Sequence, residues 1–212
     1  MSRCLAEGFP GGGLLRGRRR LARVLLLATC AIGFCGPIAP SVGFAKVFAS
    51  QNQALAEAFP DATRIDRDTR LLRDAQVARI EEILGAPVDA RVVVLHTAWR
   101  EETLLGYAHI EVHTVRTQPE AFMIVLTPEG HVRSVRILAF HEPLDYLPTD
   151  RWYAQFVDKT GADELRVGRD IHGVVGATLS ARAAANGVRR MLAYWEVLLR
   201  PAAEASEPAE QP

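Results

Sequence analysis

Residues 122–138 read FMIVLTPEGHVRSVRIL. A run of apolar residues, Phe122 to Leu126, is followed by Thr-Pro-Glu-Gly and then by a second segment in which Val and Ile recur. Proline and glycine in this order are typical of a turn, and β-branched and aromatic residues favour strands. The stretch therefore predicts a β-hairpin with its turn at residues 127–130.

Two further strands are predicted before the hairpin. Residues 91–96 form a β-branched run, and residues 106–117 alternate in places between apolar and polar side chains, as strands do.

Helices are predicted on both sides of these strands. One covers residues 46–58, and a second covers residues 70–84, with Asp68 or Thr69 as its N-cap. Near the C-terminus, apolar residues between Val188 and Leu199 recur every three or four positions, which predicts an amphipathic helix. The order of helices, strands and helix predicts an α+β fold in which an antiparallel sheet packs against helices.

Composition narrows the classes of function. The 212 residues include 25 basic and 25 acidic side chains, so overall charge gives no case for nucleic-acid binding. The cysteines are Cys4, Cys30 and Cys35. From residue 36 onward the chain therefore has no disulfide, thiolate metal site or catalytic thiol, and any redox chemistry must rest on a bound group.

The N-terminal segment resembles an export signal or a membrane anchor. A cluster of arginines precedes residues 24–45, which contain no charged residue and are long enough to span a bilayer. Cleavage and retention both leave the following domain outside the cytoplasm. We interpret residues 1–45 as this signal or anchor, residues 46–200 as the main domain, and the Pro/Ala/Glu-rich residues 201–212 as a disordered tail.

Residues 172–180, HGVVGATLS, combine small residues with a hydroxyl at the start of an alanine-rich segment. A helix N-terminus exposes unpaired N–H groups and the positive end of the helix dipole, and glycines allow the backbone to approach a phosphate closely. Physical chemistry alone leaves two interpretations open here, a phosphate-binding turn and an ordinary helix start.

The order of residues in this segment resembles the flavinylation motif of the FMN-binding domain family, whose usual form is Asp-Gly-x-Ser/Thr-Gly-Ala-Thr-x-Ser/Thr. That family includes the C subunit of the sodium-translocating NADH:quinone oxidoreductase and the G subunit of the Rnf electron-transport complex. The resemblance implies that Thr178 carries FMN through a phosphoester bond made from FAD by a magnesium-dependent flavin transferase. It further implies that Gly173, Gly176, Ala177 and Ser180 shape the phosphate site. His172 and Val175 occupy motif positions where Asp and Ser or Thr are usual.

Weaker resemblances extend the match over about residues 50–198. Residues 124–132 are similar to the family's strand, turn and strand, residues 152–156 to a Trp-x-x-Gln-Phe segment, and residues 58–62 to a Phe-Pro-Gly-Ala segment. His141 and Glu142 lie where members have a second loop that contacts the flavin.

Other combinations of residues have competing explanations. One strand face carries His109, Glu111 and His113. These residues are either a set of metal ligands or part of a polar outer face. A serine hydrolase that uses Ser180 and His172 is a further alternative, but the sequence contains no Gly-x-Ser-x-Gly nucleophile elbow. Trp152 and Phe156 have two possible roles, flavin contact and core packing. Arg182 either pairs with the phosphate or is solvated.

These observations predict an extracytoplasmic electron carrier with covalent FMN, which relays electrons in a membrane-associated redox chain together with a membrane redox complex. An electron-carrier subunit is favoured over a stand-alone enzyme, because no substrate pocket with an acid–base pair is identifiable. The alternative is an exported binding or assembly module of the same fold that carries no flavin.

Overall fold

The computed structural model describes residues 46–115 and 117–200. A six-stranded antiparallel sheet forms the centre of this part of the chain. The strands are β1 Lys46–Val47, β2 Arg64–Leu71, β3 Val92–Arg100, β4 Thr103–Val115, β5 Gln118–Leu126 and β6 Val132–Phe140. Their order across the sheet is β1-β6-β5-β4-β3-β2, so β3 to β6 form a meander and β2 lies at one edge.

Two of the described helices lie between strands in the sequence, and two follow the last strand. They are α1 Gln51–Ala58, α2 Asp74–Leu84, α3 Asp150–Tyr153 and α4 Thr178–Tyr194, and α4 continues into a π-helical turn at Trp195–Leu199. Short 3-10 turns lie at Leu144–Tyr146 and Ala154–Phe156. The predicted α+β class with an antiparallel sheet is confirmed, as are the β5–β6 hairpin and the C-terminal helix.

Both faces of the sheet are covered by apolar packing. Phe122, Ile124 and Leu126 point from β5 into the larger core, which also holds buried residues of α2 and α4. Met123 and Val125 point to the opposite face, into a smaller core with α1. Burial of each such side chain contributes about 1.5–3 kcal/mol relative to exposure.

Helix α4 approaches the sheet closely at Gly187. A Cβ atom at this position would lie 2.5 Å from Cζ of Phe122, so a larger residue could not fit without movement of the strand or helix. The close approach fixes α4, and with it the segment that precedes Thr178, against the centre of the sheet.

The predicted helix over residues 70–84 is wrong at its start. Arg70 and Leu71 end strand β2, and Asp68 and Thr69 are strand residues that pair with β3 rather than helix caps. Strand β2 reads RIDRDTRL and exposes most of its side chains, so it lacks the apolar alternation that would identify a strand.

The first predicted helix is shorter than residues 46–58. Lys46 and Val47 pair with β6, and α1 begins at Gln51. Its N-cap is Ser50, whose hydroxyl accepts the N–H of Gln53 at 3.2 Å.

Predictions for residues 1–45 and 201–212 lie outside the described residues. Within residues 46–115 and 117–200, no helix has both the length and the apolar character that crossing a membrane requires.

Candidate functional site

The motif segment leads directly into α4. Gly176 has a φ of +84°, in the left-handed region that favours glycine. Ala177 is buried and is the N-cap, and Thr178 is the first residue of the helix. The sequence-predicted hydroxyl therefore stands at a helix N-terminus.

Two side chains of the residue 152–156 segment hold the start of the motif. The indole Nε1–H of Trp152 donates to the carbonyl oxygen of His172 at 2.7 Å, and Oε1 of Gln155 accepts the N–H of His172 at 2.8 Å. Trp152 and Phe156 are both buried and their rings pack edge to face, so both belong to the core. Sequence analysis missed the support that Trp152 gives to the motif backbone.

The side chain of Thr178 is exposed, and its hydroxyl is only weakly hydrogen-bonded. Within the described residues, its one hydrogen bond is donated to the carbonyl oxygen of Val174 and is long, at 3.5 Å. The N-cap residue Ala177 provides no side-chain acceptor for the first-turn N–H groups. An anion at Thr178 would therefore be stabilised by these N–H groups and the helix dipole.

Exposed apolar side chains lie near Thr178 in the sequence and on the neighbouring turn. Val175 is fully exposed at 101%, Leu179 is 44% exposed, and Leu144 is 51% exposed. The turn that contains Leu144 lies beside the motif, since a Cβ built at Gly176 would be 3.9 Å from the carbonyl oxygen of Asp145. Gly173 is exposed as well, and a Cβ there would be 3.7 Å from a methyl group of Val167.

The side chain of Ser180 does not share this exposed face. Ser180 is buried, and its hydroxyl lowers the pKa of Glu120 on β5. Residues two apart on a helix point to opposite sides, so only the backbone N–H of Ser180, and not its side chain, lies on the same side as the Thr178 hydroxyl.

His141 and Glu142 are engaged with the β4–β5 hairpin. Nδ1 of His141 lies 3.0 Å from the carbonyl oxygen of Pro119, and Oε1 of the buried Glu142 accepts the N–H of Thr117 at 3.2 Å. Within the described residues, neither side chain forms a hydrogen bond or ion pair with residues 172–180. The structure thus does not bring the second predicted loop into contact with Thr178 through these two side chains.

The three polar residues of β4 divide into separate clusters instead of forming one set. His109 and Glu111 join Arg190 of α4, whereas His113 lies beside Glu120 of β5. In the part of the chain that the structure describes, no group of three His, Cys, Asp or Glu residues could hold a metal ion.

The first of these clusters is fully paired. Nδ1 of His109 lies 2.8 Å from the carbonyl oxygen of Val94, Nε2 lies 3.2 Å from Oε2 of Glu111, and Arg190 donates to Oε1 of Glu111. Burial raises the pKa of Glu111, but the hydrogen bond from His109 and the charge of Arg190 lower it to about 2. The His109 ring can donate to both of its acceptors only when both nitrogens are protonated.

The second cluster was missed by sequence analysis. Glu120, His113 and Tyr153 bring buried polar atoms together beneath the first turn of α4. The burial of Glu120 could have been predicted from strand alternation, because Glu120 lies on the same strand face as Phe122 and Ile124. Its proximity to His113 depends on the β4–β5 register.

Arg182 lies one turn after Thr178 on an exposed part of α4. It lines a groove of about 280 Å³ with Arg166 and Arg189 and with no carboxylate. A larger groove of about 740 Å³ lies next to it and shares Arg166 and Arg189. Residues 172–180 line neither groove, so a group held at Thr178 would rest on the surface.

The residues present fit an FMN group attached through its phosphate. Thr178 offers an exposed hydroxyl, the first turn of α4 offers uncapped N–H groups, and Val175 and Leu179 offer exposed apolar surface for a flat ring. In comparisons with known proteins, the chain matches no protein-family model and no curated protein.

Proposed function

We propose that this protein is an extracytoplasmic electron carrier with FMN attached by a phosphoester to Thr178, acting in a membrane-associated redox chain. The observation that supports this most is the position of Thr178, an exposed hydroxyl at the uncapped start of a 17-residue helix. Thr178 is also the residue to which the resemblance to the flavinylation motif assigns the FMN ester. The location outside the cytoplasm is proposed only from the N-terminal sequence, in which an arginine cluster precedes an apolar segment.

A covalent bond suits such a location. Free FMN is scarce outside the cytoplasm, so a dissociating cofactor would be lost, whereas an ester holds it whatever the noncovalent affinity. Bound FMN would supply the one- and two-electron chemistry. The chain's own residues would hold the phosphate with the N–H groups of α4, and the exposed side chains of Val175, Leu179 and Leu144 would contact the ring.

The experiment is co-expression of the full chain with a flavin transferase, followed by a denaturing gel viewed for flavin fluorescence. We expect a fluorescent band from the natural sequence and none from Thr178→Val. Thr149→Val is the matched control, because Thr149 is also an exposed threonine beside a helix start but lies outside the motif. This control should remain fluorescent.

Two outcomes would contradict the proposal. A colourless band beside a transferase that modifies another substrate in the same cells would favour the alternative, an exported assembly module without flavin. His172 and Val175, which depart from the usual motif, are the residues that such a result would implicate. Fluorescence that persists in Thr178→Val would show that the attachment residue is wrong.

A further inference from the structure

Glu120 has an interior carboxyl group that forms no hydrogen bond of good geometry within the described residues, although the Ser180 hydroxyl is near enough to lower its pKa. The residue is 0% exposed, and among the described residues neither carboxyl oxygen has a hydrogen-bond partner. The nearest ionisable partner is His113, whose Nε2 lies 3.8 Å from Oε2 of Glu120. Such a buried, unpartnered carboxyl group is rare in native proteins and calls for an explanation.

Further unpartnered atoms lie around this carboxyl group. Both ring nitrogens of His113 and the hydroxyl of the buried Tyr153 have no hydrogen-bond partner in the described part of the chain. Burial raises the pKa of Tyr153, and the charge of the nearby Glu120 raises it further. Strands β4 and β5 and helices α3 and α4 therefore each contribute one polar side chain to the same interior position, the last being Ser180.

Burial favours the neutral forms of both Glu120 and His113. Burial raises the pKa of Glu120 to about 7, against a smaller lowering by the Ser180 hydroxyl. Burial lowers the pKa of His113, Glu111 raises it, and Arg190 lowers it further. From α3, Asp150 acts on Tyr153 together with Glu120. With a pKa of about 7, Glu120 is only partly protonated near neutral pH, so its carboxylate form is present there and can take up a proton.

This cluster lies directly across the helix from Thr178. Ser180 points inward to Glu120 and Thr178 points outward, and both belong to the first turn of α4. The width of one helix, about 10 Å, separates the two sides. Part of that path is protein interior, where charges interact more strongly than they do in water.

We propose that Glu120, with His113 and Tyr153 around it, is an internal proton-binding site that gains a proton when negative charge is added at Thr178. The site itself does not depend on flavin. Its use in electron transfer rests on the proposed function: an electron passed to Thr178-linked flavin from a reduced electron-transfer protein would add one negative charge there. One proton from water would then form an O–H bond at the Glu120 carboxylate, while the donor protein is oxidised by one electron.

The first test compares Thr178→Glu with Thr178→Gln in the full chain, because these side chains differ by one charge and neither carries flavin. Carboxyl carbon NMR after labelling with ¹³C-glutamate reports each titration, and Glu120→Gln identifies the Glu120 signal. We expect a Glu120 midpoint near neutral pH in Thr178→Gln and a midpoint higher by about 0.5 pH units in Thr178→Glu. The signal of Glu111 should not titrate over this range, because its pKa is about 2.

Asn186 supplies a matched control for distance. It is exposed on α4, two turns after Thr178, so Asn186→Glu against Asn186→Gln should shift the Glu120 midpoint less. Should Thr178→Glu fail to fold, Thr178→Asp against Thr178→Asn makes the same comparison.

A Glu120 midpoint near 4.5, the ordinary glutamate value, in Thr178→Gln would overturn the proton site. Equal midpoints in the two Thr178 variants would overturn the coupling. Absence of flavin from the native protein would overturn the proposed function and would leave both of these results intact.

Discussion

Strand β4 carries two polar clusters side by side, and they are built in opposite ways. In the paired cluster, Glu111 receives hydrogen bonds from His109 and Arg190. In the unpaired cluster, Glu120 finds no hydrogen-bond partner among residues 46–115 and 117–200, and Nε2 of His113 approaches its carboxyl oxygen only to 3.8 Å. The two carboxyl pKa values accordingly move apart, to about 2 for Glu111 and about 7 for Glu120.

The difference shows that burial alone does not decide the charge of a carboxyl group. Burial raises the pKa of both glutamates, and only the partners reverse the direction for Glu111. The paired cluster connects strand β4 of the sheet to α4 through the ion pair of Glu111 and Arg190. The unpaired cluster lies next to the candidate functional site, where perturbed titratable groups are concentrated in many proteins.

The largest effect is expected when the paired cluster is broken. Arg190→Met removes the guanidinium and leaves Glu111 largely buried with one partner, which should lower the free energy of unfolding by about 3 kcal/mol at pH 7. Chemical denaturation measures this change. Arg182→Met is the control on the same helix, since Arg182 is exposed, and its effect should stay within about 0.5 kcal/mol. Equal effects of the two variants would contradict the distinction.

The next effect concerns the opposite pH dependences of the two carboxyl groups. Glu120 has a raised pKa in the folded protein, so its contribution makes stability fall as pH rises from 4.5 to about 7. Glu120→Gln should remove this fall, which amounts to about 3 kcal/mol. Denaturation curves between pH 4 and 8 would show a flatter profile in the variant than in the natural sequence.

Glu111 gives the reverse sign. Its lowered pKa means that its stabilisation is present above pH 4.5 and is lost as pH falls toward about 2. Glu111→Gln should therefore reduce the acid-dependent loss of stability and leave the change between pH 5 and 7 in place. A variant that altered the neutral range instead would reverse the assignment of the two glutamates.

The smallest effect is expected at Tyr153. Its hydroxyl is buried and has no partner in the part of the chain that the structure describes, so Tyr153→Phe removes a desolvated polar group and none of the hydrogen bonds seen there. The free energy of unfolding should be unchanged or should rise by up to about 1 kcal/mol. Thermal or chemical denaturation checks this, and a loss of more than about 1 kcal/mol would mean that the hydroxyl is bonded in solution.

Local chemistry made part of this molecule predictable. The Thr-Pro-Glu-Gly turn identified the β5–β6 hairpin, and the spacing of apolar residues identified the C-terminal helix, because both signals come from neighbours in sequence. Strand β2 was missed because an edge strand can expose charged side chains on both faces. The start of α2 was misplaced for the same reason.

The candidate site also has a part that the sequence predicts and a part that it does not. The position of Thr178 at a helix start follows from nearby small residues and the alanines after it. The bond from Trp152 to His172 and the approach of His113 to Glu120 join segments that are distant in sequence or depend on strand register. Sequence patterns contain neither kind of information, so Trp152 was considered for flavin contact when its indole in fact supports the motif backbone.

The charged side chains of strand β2 also affect whether the protein self-associates at high concentration. Its free edge carries Arg64, Asp66, Asp68 and Arg70 in a sheet whose edge would otherwise invite pairing with a second molecule. Charged side chains on an edge strand oppose such pairing, because any of them buried without a partner between two chains would cost free energy. The most polar strand of the sheet thus discourages self-association of a domain that has no disulfide to hold it together.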